Sequence, residues 1–482
     1  MDKVWGREQE LEKLQMLQKK SKSSLVVIRG RRRIGKSTLA RHFGKKFGHH
    51  FIEISGLAPT PKQTNQEQLD EFLYQLKKQL PTRRDKLSDW REAFDELYFH
   101  LKKRRRVVIL FDEVSWMGGL EPNFAGQLKN LWDLHLKDHP SLIFILCGSV
   151  STWIQDNILN STHFVGRVSA DFVLGELPLR TVAKFWGPWD NKVSDLEKLR
   201  LLSVTGLVPK YLEEIQVSQS ANENINRLCF QSDGFLHNEF DKIFNDVFDR
   251  RAKTFKKIIH HLVSQNLTAA KIANKLNLEL SSSLIEYLEN LEISGFLNRD
   301  YSFPIGQEKS KTSAFRIKDN YLRFALKYLE PRKVSGKGFT SKTSGLEQLP
   351  QWLTISGLQF ENTVLNHLDE ILEKLNIPIS QVLTASPHRQ AAKTRNRGAC
   401  QVDLLIQTAE KTAYVCEIKL RNEINRQVIR EVEKKIHVLE RPRNWSVRPV
   451  LIYEGHISTN DQVEIGQYFA KTLKIGDLLR EP

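Results

Sequence analysis

The stretch SLVVIRGRRRIGKSTLARHF, residues 24–43, decides the fold of the N-terminal part of the chain. Its apolar run from Leu25 to Ile28 reads as a buried parallel strand. Gly30 to Ser37 then satisfies the spacing G-x-x-x-x-G-K-[ST], and Thr38 to Phe43 can begin a helix. Strand, glycine-rich loop and helix in that order give the spacing a mechanism. Gly30 and Gly35 let backbone amides curl around phosphate oxygens, with Arg33, Ile34 and Thr38 in the same cradle. Lys36 reaches the outer phosphates and Ser37 offers its hydroxyl to magnesium, while the helix N-terminus adds partial positive charge. The expected ligands are ATP and Mg2+. The alternative is a chance match in a glycine loop, against which four fixed positions in the right context weigh heavily.

Working outward, a second strand should end in acids. RRRVVILFDEVSW, residues 104–116, supplies one: Val107 to Phe111 is apolar, and Asp112 and Glu113 follow. Ligands gather at the carboxyl ends of parallel strands. Asp112 suits the magnesium shell, and Glu113 can orient or deprotonate the attacking water. A third strand, LIFILCGSVS from Leu142, ends in Gly148-Ser149. Ser149 is the candidate for sensing the terminal phosphate, with Ser151 in reserve. FVGRV then brings Arg167, which could stabilise the transferring phosphoryl group in its own subunit or in a neighbour's. Action in a neighbour requires a homo-oligomer, while a surface ion pair is the plain alternative for this arginine.

Composition bounds the rest. The 482 residues suggest about three domains, and a net charge of +16 favours an anionic partner, most often nucleic acid. An inert basic surface is the competing explanation. The four cysteines, Cys147, Cys229, Cys400 and Cys416, form no CxxC pair, which fits a reducing cytoplasm. The start MDKVWGREQE carries no apolar signal segment, and no apolar run approaches the ~20 residues that span a bilayer. The expectation is a soluble, cytoplasmic protein with no membrane partner.

VWGREQELEKL (4–14), GRRRIGKST (30–38), VVILFDE (107–113), ILCGSVS (145–151), FVGRV (164–168) and TGLVPKYL (205–212) follow one another in a familiar order. In this the chain resembles the prokaryotic AAA+ ATPases of the archaeal-ATPase type, relatives of the STAND signalling ATPases. The resemblance implies an α/β P-loop NTPase core over residues 1–177, built on a five-stranded parallel sheet. It implies a helical lid over 178–245. It also implies that Gly6 and Arg7 lie near the nucleotide and that Pro209 reports nucleotide state from the lid.

The next segment, 246–330, reads as three helices and a hairpin, the pattern of a winged helix. Thr268 can cap the second helix, and Ser283 with Glu286 forms a capping-box pattern for the third. Gly295 is a natural stop. The third helix carries Glu286, Glu289 and Glu292 and no Arg or Lys from Ser281 to Ile293, which is poor equipment for phosphates. A packing module is therefore weighed beside a DNA reader. The resemblance places a winged helix here, followed by a D-x-Y-x-x-F stretch that Asp319, Tyr321 and Phe324 match.

Residues 331–350 are rich in Ser, Gly and Lys and read as a linker to a last domain over 351–482. In that domain YVCEIKL, residues 414–420, is an apolar strand with Glu417 and Lys419 on one face. Residues 401–408 and 413–420 suggest a hairpin. A three-residue loop over 409–411 puts Asp403 directly opposite Glu417, while a two-residue loop makes the acids diagonal. Two carboxylates so close repel unless a cation sits between them. A divalent metal does this well, and Lys419 beside it can position a water. An isolated salt bridge on a solvated face is the alternative. The arrangement resembles the restriction-endonuclease-like PD-(D/E)XK fold: Asp403 matches its first acid, Glu417-Ile418-Lys419 its E-x-K, and Glu361 its helical glutamate. That resemblance implies an α/β nuclease-like domain with Mg2+, or Mn2+, held by Asp403 and Glu417. The basic stretch 389–397 and a cation-rich helix downstream are candidates for phosphate contacts, with DNA favoured over RNA. The expected function is an ATPase controlling a nuclease-like tail. The alternative is a non-cleaving, nucleotide-driven switch that binds DNA or a protein.

Overall fold

The computed structural model describes residues 4–480 apart from 21, 61, 103, 150–151, 249–250, 311, 332–344 and 393–397. Ser151, most of the expected linker and residues 393–397 of the basic stretch lie outside the described residues. The chain divides into two compact units, Met1–Leu177 and Pro178–Pro482.

The first unit is built on five strands: β1 (Ser24–Gly30), β2 (His50–Ser55), β3 (Val107–Asp112), β4 (Leu142–Ser149) and β5 (Val168–Leu174). They form one sheet in the order β2-β3-β4-β1-β5, and every pairing is parallel. This is the expected five-stranded parallel sheet. Every position of β3 is buried, as a strand covered on both faces requires. One face packs an aromatic layer in which Phe111 meets Phe144 edge-on at 4.9 Å and Phe72 at 5.9 Å. Each such ring contributes about 1.5–3 kcal/mol by burial. The layer fixes the sheet, and the sheet fixes what stands at its carboxyl edge. There Gly30 of β1 pairs with Ser149 of β4, and β3 on the far side of β4 ends in Asp112. The helix Lys36–Phe47 starts straight from the glycine loop. Gly35 precedes it at φ 91°, a left-handed conformation that favours glycine.

The second unit carries three helices, Ala252–His260, Ala269–Lys275 and Ser282–Ile293, followed by an antiparallel pair, β6 (Leu297–Ser302) and β7 (Thr312–Ile317). Thr268 caps the second helix as expected, accepting the Lys271 amide at 3.3 Å. The third helix corrects the sequence reading. Its cap is Ser281, whose hydroxyl accepts the Leu284 amide at 3.3 Å, and not Ser283 with Glu286. With three serines in a row, the first one to take an extended backbone lets the helix gain residues that a later start would forgo. Gly295, at φ 76°, closes it: its amide bonds Glu292 O and that of Phe296 bonds Leu291 O. The D-x-Y-x-x-F stretch proves structural. Asp319 caps the helix Asn320–Phe324, and the buried Tyr321 hydroxyl donates to Leu236 O at 2.6 Å while accepting the Phe240 amide at 2.9 Å.

The tail of this unit forms a mixed sheet of β8 (Val382–Gln390), β9 (Cys400–Thr408), β10 (Thr412–Ile424), β11 (Ser446–Ile457) and β12 (Lys471–Lys474). The order is β12-β11-β10-β9-β8, antiparallel from β8 to β10 and parallel from β10 to β12. The parallel step from β10 to β11 needs a crossover, which the helix Gln427–Val438 provides. Gly455 sits where the β10–β11 ladder slips, at φ 127°, and a Cβ there would lie 1.7 Å from Arg421 O. Gly455→Ala is expected to cost at least ~2 kcal/mol through backbone strain and the displaced strand. Urea denaturation followed by far-UV circular dichroism checks it, and an unchanged midpoint would contradict it.

Candidate active sites

At the carboxyl edge of the first sheet Lys36, Ser37 and Arg41 are already paired. Ser37 Oγ donates to Asp112 Oδ1 at 2.9 Å. Lys36, buried, donates from Nζ to Arg31 O at 3.1 Å, so its ammonium lies folded over the loop. Arg41, one helical turn after Ser37, bridges Glu53 at 2.5 Å and Asp112 Oδ2 at 3.3 Å. Glu113 adopts a left-handed backbone, φ 49°, uncommon for a residue with a side chain. Its carboxylate accepts the Ser149 amide at 3.3 Å. The Ser149 hydroxyl is buried with no hydrogen-bond partner among the described residues. A buried hydroxyl left without a partner is costly unless a ligand or water supplies one. This edge, with its glycine loop, lysine, Ser37–Asp112 pair and unsatisfied hydroxyl, fits a nucleotide phosphate with magnesium.

The second site lies in the tail sheet. The β9–β10 hairpin has the three-residue loop 409–411, with Lys411 at φ 57°, and its ladder runs from Ala413↔Gln407 to Cys416↔Leu404. Asp403 and Glu417 are the next two residues, beyond the last pair of the ladder. There Asp403 replaces a strand carbonyl as acceptor, taking the Ile418 amide on Oδ2 at 2.9 Å. Glu417 is 1% exposed. Burial and then the neighbouring Glu417 push the Asp403 carboxyl up to about 6. Lys419 Nζ lies 2.8 Å from Glu417 Oε1 and 2.9 Å from Glu431 Oε2. Lys435 Nζ lies 2.5 Å from Glu417 Oε2 and 3.7 Å from Asp403 Oδ1. Among the described residues no group of three or more His, Cys, Asp or Glu side chains is arranged to hold a metal. Two carboxylates are nonetheless enough for magnesium, which takes its remaining ligands from water and substrate phosphates. The donor set therefore fits that ion.

Glu361 projects from the helix Trp352–Asn366, which packs on β10. Burial and then Asp403 push its carboxyl up to about 7, against the pull of Arg316 and Arg323. It lines an open cleft of about 560 Å3 together with Lys271, Arg389, Gln390, Cys400 and Gln401. One wall of that cleft comes from the three-helix segment, where Arg389 Nη1 donates to Asn266 O at 3.0 Å.

Residues 5–215 match the family described as an ATPase domain predominantly from Archaea. They are an archaeal-type P-loop ATPase domain. The chain is 27% identical over 331 residues to an uncharacterized protein of Methanocaldococcus jannaschii, covering 67% of this chain and 68% of that one. Among solved structures it is similar to a Walker-type ATPase of Pyrococcus abyssi, with a TM-score of 0.51 and 19% identity over 67% of this chain and 96% of that one. At that identity the likeness speaks to the fold. A further similar structure is the ORC2 protein of Aeropyrum pernix, with a TM-score of 0.41 and 15% identity over 70% of this chain and 96% of that one.

Within the ATPase domain, Gly6 turns at φ 67° and the buried Arg7 donates to Ile34 O at 3.2 Å and Gly175 O at 2.6 Å, tying the N-terminus to the glycine loop. Arg167 forms a two-pronged pair with Asp133, both contacts at 2.8 Å, and its hydrogen bond holds that carboxyl down at about 2. Pro209 is the first residue of the short helix Pro209–Glu213 in the second unit. Sequence reasoning missed Arg41, Glu431 and Lys435. The signal for the last two was present. They stand four apart on a helix whose buried stripe is Val428 and Val432, and that helix returns across the strand carrying Glu417. No helix among the described residues is long and apolar enough to cross a membrane.

Proposed function

We propose that ATP turnover in the ATPase domain controls a metal-dependent nuclease-like domain, residues 351–482, acting on nucleic acid, with DNA favoured. The observation that carries this reading is the Asp403–Glu417 pair, half-buried and buried respectively, with Lys419 at its edge. An isolated surface salt bridge has no use for a second acid in the same gap. The net charge of +16 and the cleft bearing Lys271 and Arg389 support a polyanion as substrate. The three helices and the β6–β7 hairpin support a winged helix over 246–330, here serving as a wall of the cleft.

In the ATPase domain the amides of Gly30, Arg33, Ile34 and Gly35 and the start of the helix at Thr38 hold phosphate oxygens, with Lys36 swinging outward from Arg31 O. Ser37 and Asp112 hold magnesium, whose part is to neutralise phosphate charge. Glu113 takes a proton from the attacking water, and Ser149 bonds the terminal phosphate with its unused hydroxyl. Arg7 and Gly6 steady the loop, and Pro209 conveys nucleotide state from a lid over 178–245. Arg167 serves a phosphoryl group only once released from Asp133, in its own subunit or in a second copy.

In the tail, Asp403 and Glu417 hold Mg2+ or Mn2+, which polarises the scissile phosphate when bound. Lys419 orients the water, and Glu361 stands by at the cleft. Lys36→Ala is expected to abolish ATP binding and turnover, measured with a fluorescent ATP analogue and by phosphate release. Wild-type turnover in that variant would remove the nucleotide half of the reading. The second reading is a non-cleaving switch. It is favoured by the third helix, which presents Glu286, Glu289 and Glu292 and no cation. Salt-dependent DNA binding without any cleavage would decide for it.

A further inference from the structure

The gap between Asp403 and Glu417 holds a cation that the chain itself supplies. Lys435 Nζ is 2.5 Å from Glu417 Oε2 and 3.7 Å from Asp403 Oδ1. Among the described residues it is the one side chain ion-paired to both acids. Lys419 differs: it sits on the other oxygen of Glu417 and is shared with Glu431, which also meets Arg421 at 3.5 Å. Lys419 is thus anchored at the rim, while Lys435 fills the space between the carboxylates. Burial works against the Lys435 charge, but Asp403 and Glu417 outweigh it and hold the ammonium above its ordinary range.

We propose that Lys435 is the resident counter-cation of the acid pair and that a divalent metal binds there only by displacing it. This rests on the metal-dependent reading of the site. An ammonium and a divalent ion repel and compete for the same oxygens, so both cannot occupy one gap. The lysine stem is flexible and its charge is a compact point, so the head can leave without moving the helix Gln427–Val438. Once out, it is a cation released from both carboxylates. The device has two consequences. The charge of the pair is partly offset without metal, and metal affinity is set by the lysine as well as by the acids.

The test is Mn2+ binding to the full chain without nucleotide, by titration calorimetry at pH 7.5. Lys435→Met and Lys435→Gln are compared with wild type, with the exposed neighbour Lys434→Met as a charge control and Glu417→Gln to identify this site. Thermal melting follows each variant with and without Mn2+. The expected result is at least tenfold tighter Mn2+ binding in both Lys435 variants, or binding where the wild type has none, with Lys434→Met unchanged. Both should also melt lower than wild type without metal and recover with it. Mn2+ binding no tighter than wild type in variants that melt cooperatively would overturn the displacement. If no variant shows binding that Glu417→Gln removes, the metal-dependent reading falls and this inference with it.

Discussion

Glu113→Gln is expected to bind ATP as the wild type does and to hydrolyse it ~100-fold or more slowly. Gln is isosteric and can still accept the Ser149 amide, which lies 3.3 Å from the carboxylate. What it loses is the ability to take a proton. The left-handed backbone at φ 49° aims that side chain back across the sheet edge instead of out to solvent, a strain that an ordinary acidic turn has no reason to carry. Phosphate release at saturating ATP, with affinity measured separately, checks it. A variant that keeps wild-type turnover would assign the base elsewhere. One that loses binding would make Glu113 a structural residue.

Asp403→Asn is expected to abolish metal-dependent cleavage and, at the same time, to stabilise the second unit above pH 6. The sign follows from burial. Its carboxyl, pushed up to about 6, binds its proton more tightly folded than unfolded, where it titrates near 3.9. Stability therefore falls as pH rises from about 4 to about 6, and the full penalty is present above. Asn removes the penalty while still accepting the Ile418 amide through its carbonyl oxygen. Melting temperatures at pH 8 and pH 4 test this: a gain at pH 8 that shrinks at pH 4 is expected. A loss at pH 8 would mean that Asp403 holds the fold together and would weaken its assignment to chemistry.

The two sites were legible to different depths. Apolar strands ending in Asp112 and Ser149 can only gather at one edge when the sheet is parallel, so the loop, the acids and the sensor candidate could be named from the chain alone. The neighbourhood of Asp403 and Glu417, one step beyond the ladder's last pair, was legible once a hairpin loop length was chosen, because strand register is arithmetic. That Lys435 reaches both acids was not, although its spacing of four from Glu431 was visible, since the contact runs through a crossover helix whose rotation is set by Val428 and Val432 packing. Arg167 shows the converse. Its motif is local, but its two-pronged bond to Asp133 depends on a residue 34 positions away. The Ser281 cap was missed for a simpler reason, three adjacent serines with equal capping chemistry.

The most direct measurement is cleavage of plasmid and single-stranded DNA by the purified chain with Mg2+ or Mn2+, with and without ATP, beside Glu417→Ala and Glu113→Gln. Cutting that vanishes in Glu417→Ala and changes in extent or ATP dependence in Glu113→Gln is the expected result. No cutting under any of these conditions, with ATP turnover intact in the wild type, would contradict a nuclease under ATP control and leave a nucleotide-driven switch.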